Sequence, residues 1–191
     1  MKVLFVDNFD SFTYNIVHLL AEQGVTPDVM HNDDPRLDEK LLEGYDALVV
    51  GPGPGNPSQT PQVTELIRAA AKKKMPIFGV CLGLQAIGEA FGARTTHAPK
   101  PLHGKVSSIT VKSGKLFEGI ASPLEATRYH SLCLDPNSLP EELEVTATSA
   151  DGVIQGIAHK TLPISAVQFH PESVLSEDGE QIVRNALGLD R

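Results

Sequence analysis

Three short apolar runs, at residues 2–6, 46–51 and 76–80, each end in a turn that leads toward an amphipathic stretch, and this recurring order restricts the fold more than any other feature of the chain. Runs of five or six apolar residues bounded by turn signals suit strands buried on both faces. Residues 11–23 have helical spacing, with Asp10 or Ser11 placed to cap the first turn. A second helix is expected to start near Pro61, a residue that fits a first helical position, and a third over residues 82–91. Strand–helix alternation of this kind closes as a parallel sheet with helices on both faces.

The second half has a different rhythm. Residues 106–112, 143–149, 153–160 and 163–170 alternate or run apolar with Gly, Pro or Asp between them, which predicts further strands, some antiparallel and hairpin-linked. A last helix is expected over residues 176–187. With no internal repeat, low-complexity tract or linker, the expectation is one α/β domain over residues 1–191, with a mixed, mostly parallel central sheet.

Charge and segment length narrow the partners. The formal charge is −8, and the one basic cluster, Lys72-Lys73-Lys74, falls at an expected helix end where cations complement the dipole. Nucleic acid is therefore not an expected partner. No apolar stretch is long enough to span a bilayer, and the start MKVLFVDNFDSF reads as a first strand rather than a signal peptide, so a cytoplasmic protein is expected. Two cysteines, Cys81 and Cys133, make no disulfide framework.

Cys81 stands in Gly79-Val80-Cys81-Leu82-Gly83, between the apolar run 76–80 and the helical pattern 82–91. This is the spacing of a nucleophile elbow, where a tight strand-to-helix turn pushes a side chain outward and flanking glycines relieve the crowding. At a helix N-terminus the dipole favours an anionic sulfur, and the N–H of Leu82 is placed to meet an oxyanion. A small buried hydrophobe in a strand is the bland alternative. Of the seven histidines, His170 ends an apolar strand and is followed by Pro171 and Glu172, which can reach back to the imidazole; an ordinary surface ion pair is the competing reading.

A third segment, Gly51-Pro52-Gly53-Pro54-Gly55-Asn56-Pro57, also follows a buried run. It lacks the Lys and Ser/Thr of a phosphate loop, and its glycine spacing is not the dinucleotide fingerprint. Its prolines remove donors and stiffen the backbone, leaving the N–H of Gly53 as a rigid donor for an oxyanion hole.

Taken in order, Asp7-Asn8-Phe9-Asp10-Ser11-Phe12, GPGPGNP at 51–57, GVCLGLQAIGEAFG at 79–92, His103-Gly104-Lys105, Arg128-Tyr129-His130-Ser131-Leu132 and Gln168-Phe169-His170-Pro171-Glu172-Ser173 resemble the class I (triad) glutamine amidotransferases over essentially the whole chain. Within that class they look like the glutaminase subunit of anthranilate synthase or of aminodeoxychorismate synthase. The resemblance implies a Cys81, His170 and Glu172 triad acting through a γ-glutamyl thioester, with Gly53 and Leu82 as the oxyanion donors. It also implies that Gly53, Pro54, Gly55, Gln85, Ser131 and Leu132 bind glutamine.

A chorismate-using synthase large subunit, similar to anthranilate synthase component I, is the implied partner and recipient of ammonia. No metal or cofactor is expected. Leu84 stands where many chorismate-linked members carry His, a variant similar to the amidotransferase halves of fused anthranilate synthases, and it favours anthranilate as the product. Asn56 departs from the family's usual small residue or Thr after the glycine loop. A freestanding thiol hydrolase and a scaffold subunit without activity stay open as alternatives. His103-Gly104-Lys105 is expected to precede a strand, and Cys133 to be a packing residue.

Overall fold

The computed structural model describes residues 1–189. Five strands, β1 (Val3–Asp7), β2 (Asp28–His31), β3 (Ala47–Val50), β4 (Ile77–Val80) and β9 (Ile164–Val167), form a parallel body in the order β2-β1-β3-β4-β9. The sheet continues through antiparallel neighbours β8 (Ile154–His159), β7 (Leu143–Ser149), β5 (Thr95–Val111) and β6 (Leu124–Leu134).

Strand pleating explains the layers, because successive side chains point to opposite faces. On one face Val3, Phe5, Val49, Phe78 and Val80 pack with Ile16 and Leu20 of α1 (Thr13–Glu22) and Ile182 and Val183 of α4 (Gly179–Leu187). On the other, Leu4, Val6, Leu48, Val50 and Ile77 pack with Leu66 and Ile67 of α2 (Pro61–Lys72) and Leu84 and Ile87 of α3 (Leu82–Ala90). The expected helices on both faces of a mixed sheet are present. Among the described residues, no helix is long and apolar enough to cross a membrane.

Several boundaries differ from those the sequence suggests. Helix α1 begins at Thr13 rather than residue 11, and no side chain caps it. Asp10 instead accepts the N–H of Phe12 at 2.8 Å, and Asp7 accepts the Thr13 hydroxyl at 2.6 Å, so the acids stabilise the turn before the helix. Helix α4 begins at Gly179 rather than residue 176. His103-Gly104-Lys105 does not precede a strand but lies inside β5, where a register shift accommodates Gly104 at φ 65°.

Candidate active site

Cys81 follows β4 directly and is the first residue before α3, at φ 54° and ψ −104°. Such a backbone costs a non-glycine residue roughly 1–3 kcal/mol, and it persists only where the surroundings fix it. They do so here by packing. A Cβ on Gly83 would lie 2.1 Å from the Val50 carbonyl oxygen, and one on Gly79 would lie 2.7 Å from the Gly83 backbone. Both glycines let α3 start against β3 and β4, while the Cys81 N–H donates to the Val167 carbonyl at 2.9 Å.

Because β9 lies beside β4 and runs parallel to it, residues just beyond β9 share an end of the sheet with Cys81. His170 is held there by its backbone. Its N–H donates to the Thr127 carbonyl of β6 at 2.9 Å, and its own carbonyl accepts the Ser176 hydroxyl at 2.6 Å. The imidazole Nδ1 sits 2.6 Å from Glu172 Oε1, with side-chain exposures of 2% and 1%. Nδ1–H donates to the carboxylate, which leaves Nε2 for Cys81.

Burial disfavours a charged imidazole, but hydrogen bonding to Cys81 and Glu172 outweighs it and pushes His170 up to about 10. Nε2 faces the sulfur without an aligned hydrogen bond. Catalytic hydrogen bonds commonly tighten only once substrate is bound. The edges of Phe12 and Tyr129 close over the ring, at centroid distances of 5.7 and 5.1 Å.

Gln85, one turn into α3, is 3% exposed and points its amide away from solvent. Its Nε2 donates to the Leu132 carbonyl at 3.2 Å and to Gln168 Oε1 at 3.1 Å, while its Oε1 is buried without a partner. The glycine loop meets the same helix start: a Cβ on Gly53 would lie 2.4 Å from the Asn8 Cβ and 3.1 Å from Leu82 Cδ2. So Cys81, His170, Glu172, Gln85, Leu132, Leu82 and Gly53 share one end of the sheet. Ser131 is exposed beside Leu132, and Pro54 and Gly55 are exposed at the loop tip.

A glutamine amidotransferase class-I family model matches residues 4–188. The chain belongs to the class-I glutamine amidotransferases. It is 47% identical over 189 residues to anthranilate synthase component 2 of Mycobacterium tuberculosis, covering 98% of this chain and 82% of that one. It is 44% identical over 183 residues to aminodeoxychorismate/anthranilate synthase component 2 of Bacillus subtilis, covering 96% and 94%. Among solved structures, a Thermoplasma acidophilum protein described as a GMP synthase subunit superposes with a TM-score of 0.87 at 32% identity, over 99% of this chain and 93% of that chain.

Two features of this amidotransferase are not legible in the sequence. Gln168 is fully buried, and its Nε2 donates to the Cys81 sulfur at 3.5 Å. It stands within the His170 motif, but nothing in its spacing reveals which way an interior amide points. The second is a buried polar network behind Leu132. Arg128, 2% exposed, donates from Nε to His130 Nε2 at 3.0 Å and from Nη2 to Asp151 at 2.9 Å, and the Ser149 hydroxyl also donates to Asp151. His130 Nδ1 then lies 3.0 Å from the Leu132 carbonyl, so that oxygen is held from two sides, by His130 and by Gln85. Burial foremost, and the charge of Arg128, hold His130 down at about 4, which keeps it neutral and able to accept from Arg128.

The remaining residues singled out have structural roles. Cys133 packs with Ala98 and Val153, and burial raises its thiol. Asn56 accepts the Ser58 N–H at 2.9 Å and donates its own N–H to Gln59 at 2.9 Å, closing the turn after the glycine loop. Leu84 is fully buried in the helical face of the core. Among the described residues, no group of three or more His, Cys, Asp or Glu is placed to hold a metal ion.

Proposed function

We propose that this amidotransferase is the glutaminase subunit of an anthranilate synthase, hydrolysing glutamine and passing ammonia to a large subunit that aminates chorismate. The arrangement that carries this reading is the buried His170–Glu172 pair at 2.6 Å beside the strained Cys81 elbow. The Cys81 sulfur attacks the side-chain carboxamide carbon of glutamine. The oxyanion is met by the N–H groups of Leu82 and Gly53, and the C–N bond breaks as His170 gives a proton to the departing ammonia. Water then attacks the γ-glutamyl thioester, gives its proton back to His170, and releases glutamate and the sulfur.

Substrate orientation follows from the orphaned acceptor. Gln85 Oε1 is buried and unpartnered, and the α-ammonium of glutamine would satisfy it. The exposed Ser131 and the pinned Leu132 offer backbone groups to the same end of the ligand, and Gly53, Pro54 and Gly55 approach it from the glycine loop beside Leu82.

A partner is supported by what surrounds the site. Val174 and Leu175, two and three positions after Glu172, are 97% and 59% exposed, and Phe9 and Tyr14 are exposed beyond β1. Exposed apolar groups near a nearly closed site, where Cys81 is 6% exposed, suit a docking face whose occupation opens and orders the chemistry. The similarity to a Bacillus subtilis protein named for both aminodeoxychorismate and anthranilate synthase supports a second reading, in which one subunit serves either pathway. Leu84 does not decide between them, since it is buried in the core. The partner fixes the product.

Mixing the chain with an anthranilate-forming and an aminodeoxychorismate-forming large subunit, and measuring glutamate release, separates these readings. Stimulation by the first alone supports the proposal, and stimulation by both supports the shared subunit. No stimulation by either overturns both. Cys81→Ser should abolish glutamine-dependent synthesis and leave ammonia-dependent synthesis by the partner intact.

A further inference from the structure

We propose that Gln168 is a further catalytic residue: its side-chain amide donates to the Cys81 sulfur and ties that sulfur to Gln85, the residue placed for the amino-acid end of the substrate. The inference rests on Cys81 being the nucleophile. Gln168 is fully buried just beyond β9, with its backbone N–H donated to the Gln155 carbonyl at 2.9 Å, so the side chain springs from a fixed point. From there Nε2 reaches the sulfur at 3.5 Å and Oε1 accepts Gln85 Nε2 at 3.1 Å.

Only a carboxamide can play both parts. The donor end must face the sulfur and the acceptor end must face Gln85 Nε2, which is already committed as a donor to Leu132. A carboxylate would keep the acceptor and set a negative charge against the sulfur. A thioether would supply neither group. The titratable groups around the sulfur are His170, with Glu172 behind it and His130 farther off on β6; Gln168 is the uncharged donor among them.

An N–H bond to sulfur is strongest when the sulfur is anionic. It therefore favours the thiolate before attack, weakens in the uncharged thioester, and is regained as the sulfur leaves during hydrolysis. Gln168 acts on the step that forms the thioester and on the step that breaks it. Through Gln85 it also transmits occupation of the amino-acid subsite to the nucleophile.

The test compares Gln168→Met and Gln168→Glu with the parent chain in complex with its large subunit. Alkylation of Cys81 by iodoacetamide, in which the sulfur displaces iodide, is followed at the Cys81 peptide by mass spectrometry so that Cys133 is kept apart. Losing one charge-assisted donor should slow alkylation about tenfold in Gln168→Met. Gln168→Glu should be slower still. Glutaminase kcat should fall in the same order.

Equal alkylation rates in folded variants would overturn the inference. If either variant fails to fold, the Gln168 side-chain amide of the unmodified protein gives the answer by nitrogen-15 NMR. Its resonance should shift when Cys81 is alkylated, and an unmoved resonance overturns the inference. Glutamine use that survives Cys81→Ser would instead overturn the nucleophile itself.

Discussion

His170 Nδ1 and Glu172 Oε1 lie 2.6 Å apart, two positions apart in the chain and both shut away from solvent. Pro171 between them turns the chain so that the carboxylate reaches back to the ring. The pair fixes which nitrogen faces Cys81 and favours the charged imidazole there.

Replacing Glu172 by Gln should lower glutaminase kcat by about 100-fold with a much smaller change in KM, because the base loses orientation and charge support rather than a substrate contact. Stability carries the same signature. Against burial, Cys81 first and Glu172 second raise His170 from 6.5 to about 10, so the stability these partners give the charged ring is complete below pH 6.5 and is lost as pH rises through about 10, and Glu172→Gln removes the Glu172 share of it. Melting temperatures of the two proteins should differ most at pH 6.5 and converge toward pH 10.

Gln85→Leu removes the unpartnered Oε1 and one of the two donors to the Leu132 carbonyl. KM for glutamine should rise by roughly 10- to 100-fold, since discrimination by a buried polar group is worth about that much. Steady-state kinetics of the reconstituted complex would check it. An unchanged KM would remove Gln85 from the substrate site.

His130 predicts acid sensitivity. Its folded value of about 4 is below the ordinary 6.5, so the unfolded chain takes up a proton that the folded chain refuses between those limits. The stability associated with neutral His130 is complete above pH 6.5 and drains as pH falls toward 4, by on the order of 3 kcal/mol. His130→Asn should flatten this part of the pH profile of urea unfolding.

The elbow glycines predict unequal costs. Gly83→Ala places a methyl 2.1 Å from the Val50 carbonyl oxygen, an overlap expected to destabilise by about 3 kcal/mol or more. Gly119→Ala, away from the elbow, meets no atom within 4 Å and suffers only its φ of +78°, which costs about 1 kcal/mol. Urea titrations of the two variants measure the difference.

Legibility followed burial. Strands β1, β3, β4 and β9 are buried throughout, and their apolar runs stand out from the turns around them. Strand β2 does not stand out, because it lies at the sheet edge and its Asp28–His31 sequence is partly exposed. The first part of β5 carries two prolines and a bulge and is largely exposed, while β6, the last strand in the order, is mostly buried but breaks its apolar residues with Thr127, Arg128 and His130 and bonds on its far side to the segment after β9. As an edge strand β2 satisfies one ladder and faces water on the other side, so it needs no apolar run. The start of α1 falls later than its spacing suggests because Asp10 caps a turn in the same way that it would cap a helix.

The elbow is legible along the chain because it is local, whereas the His170 and Glu172 pair, though local too, is legible only through the family resemblance and otherwise reads as an ordinary ion pair. Gly79, Cys81 and Gly83 impose a turn within five residues, and Pro171 brings Glu172 back to His170 within three. What these local devices face is set by strand order in the folded sheet. The parallel pairing of β4 with β9 brings His170 to Cys81 across 89 positions of chain, as 170 − 81 shows. The same pairing aims Gln168 at the sulfur, and the edge strand β6 delivers Leu132 to Gln85. Those contacts depend on strand order and on the direction of buried amides, which arise from packing over the whole sheet and leave no spacing to read along the chain.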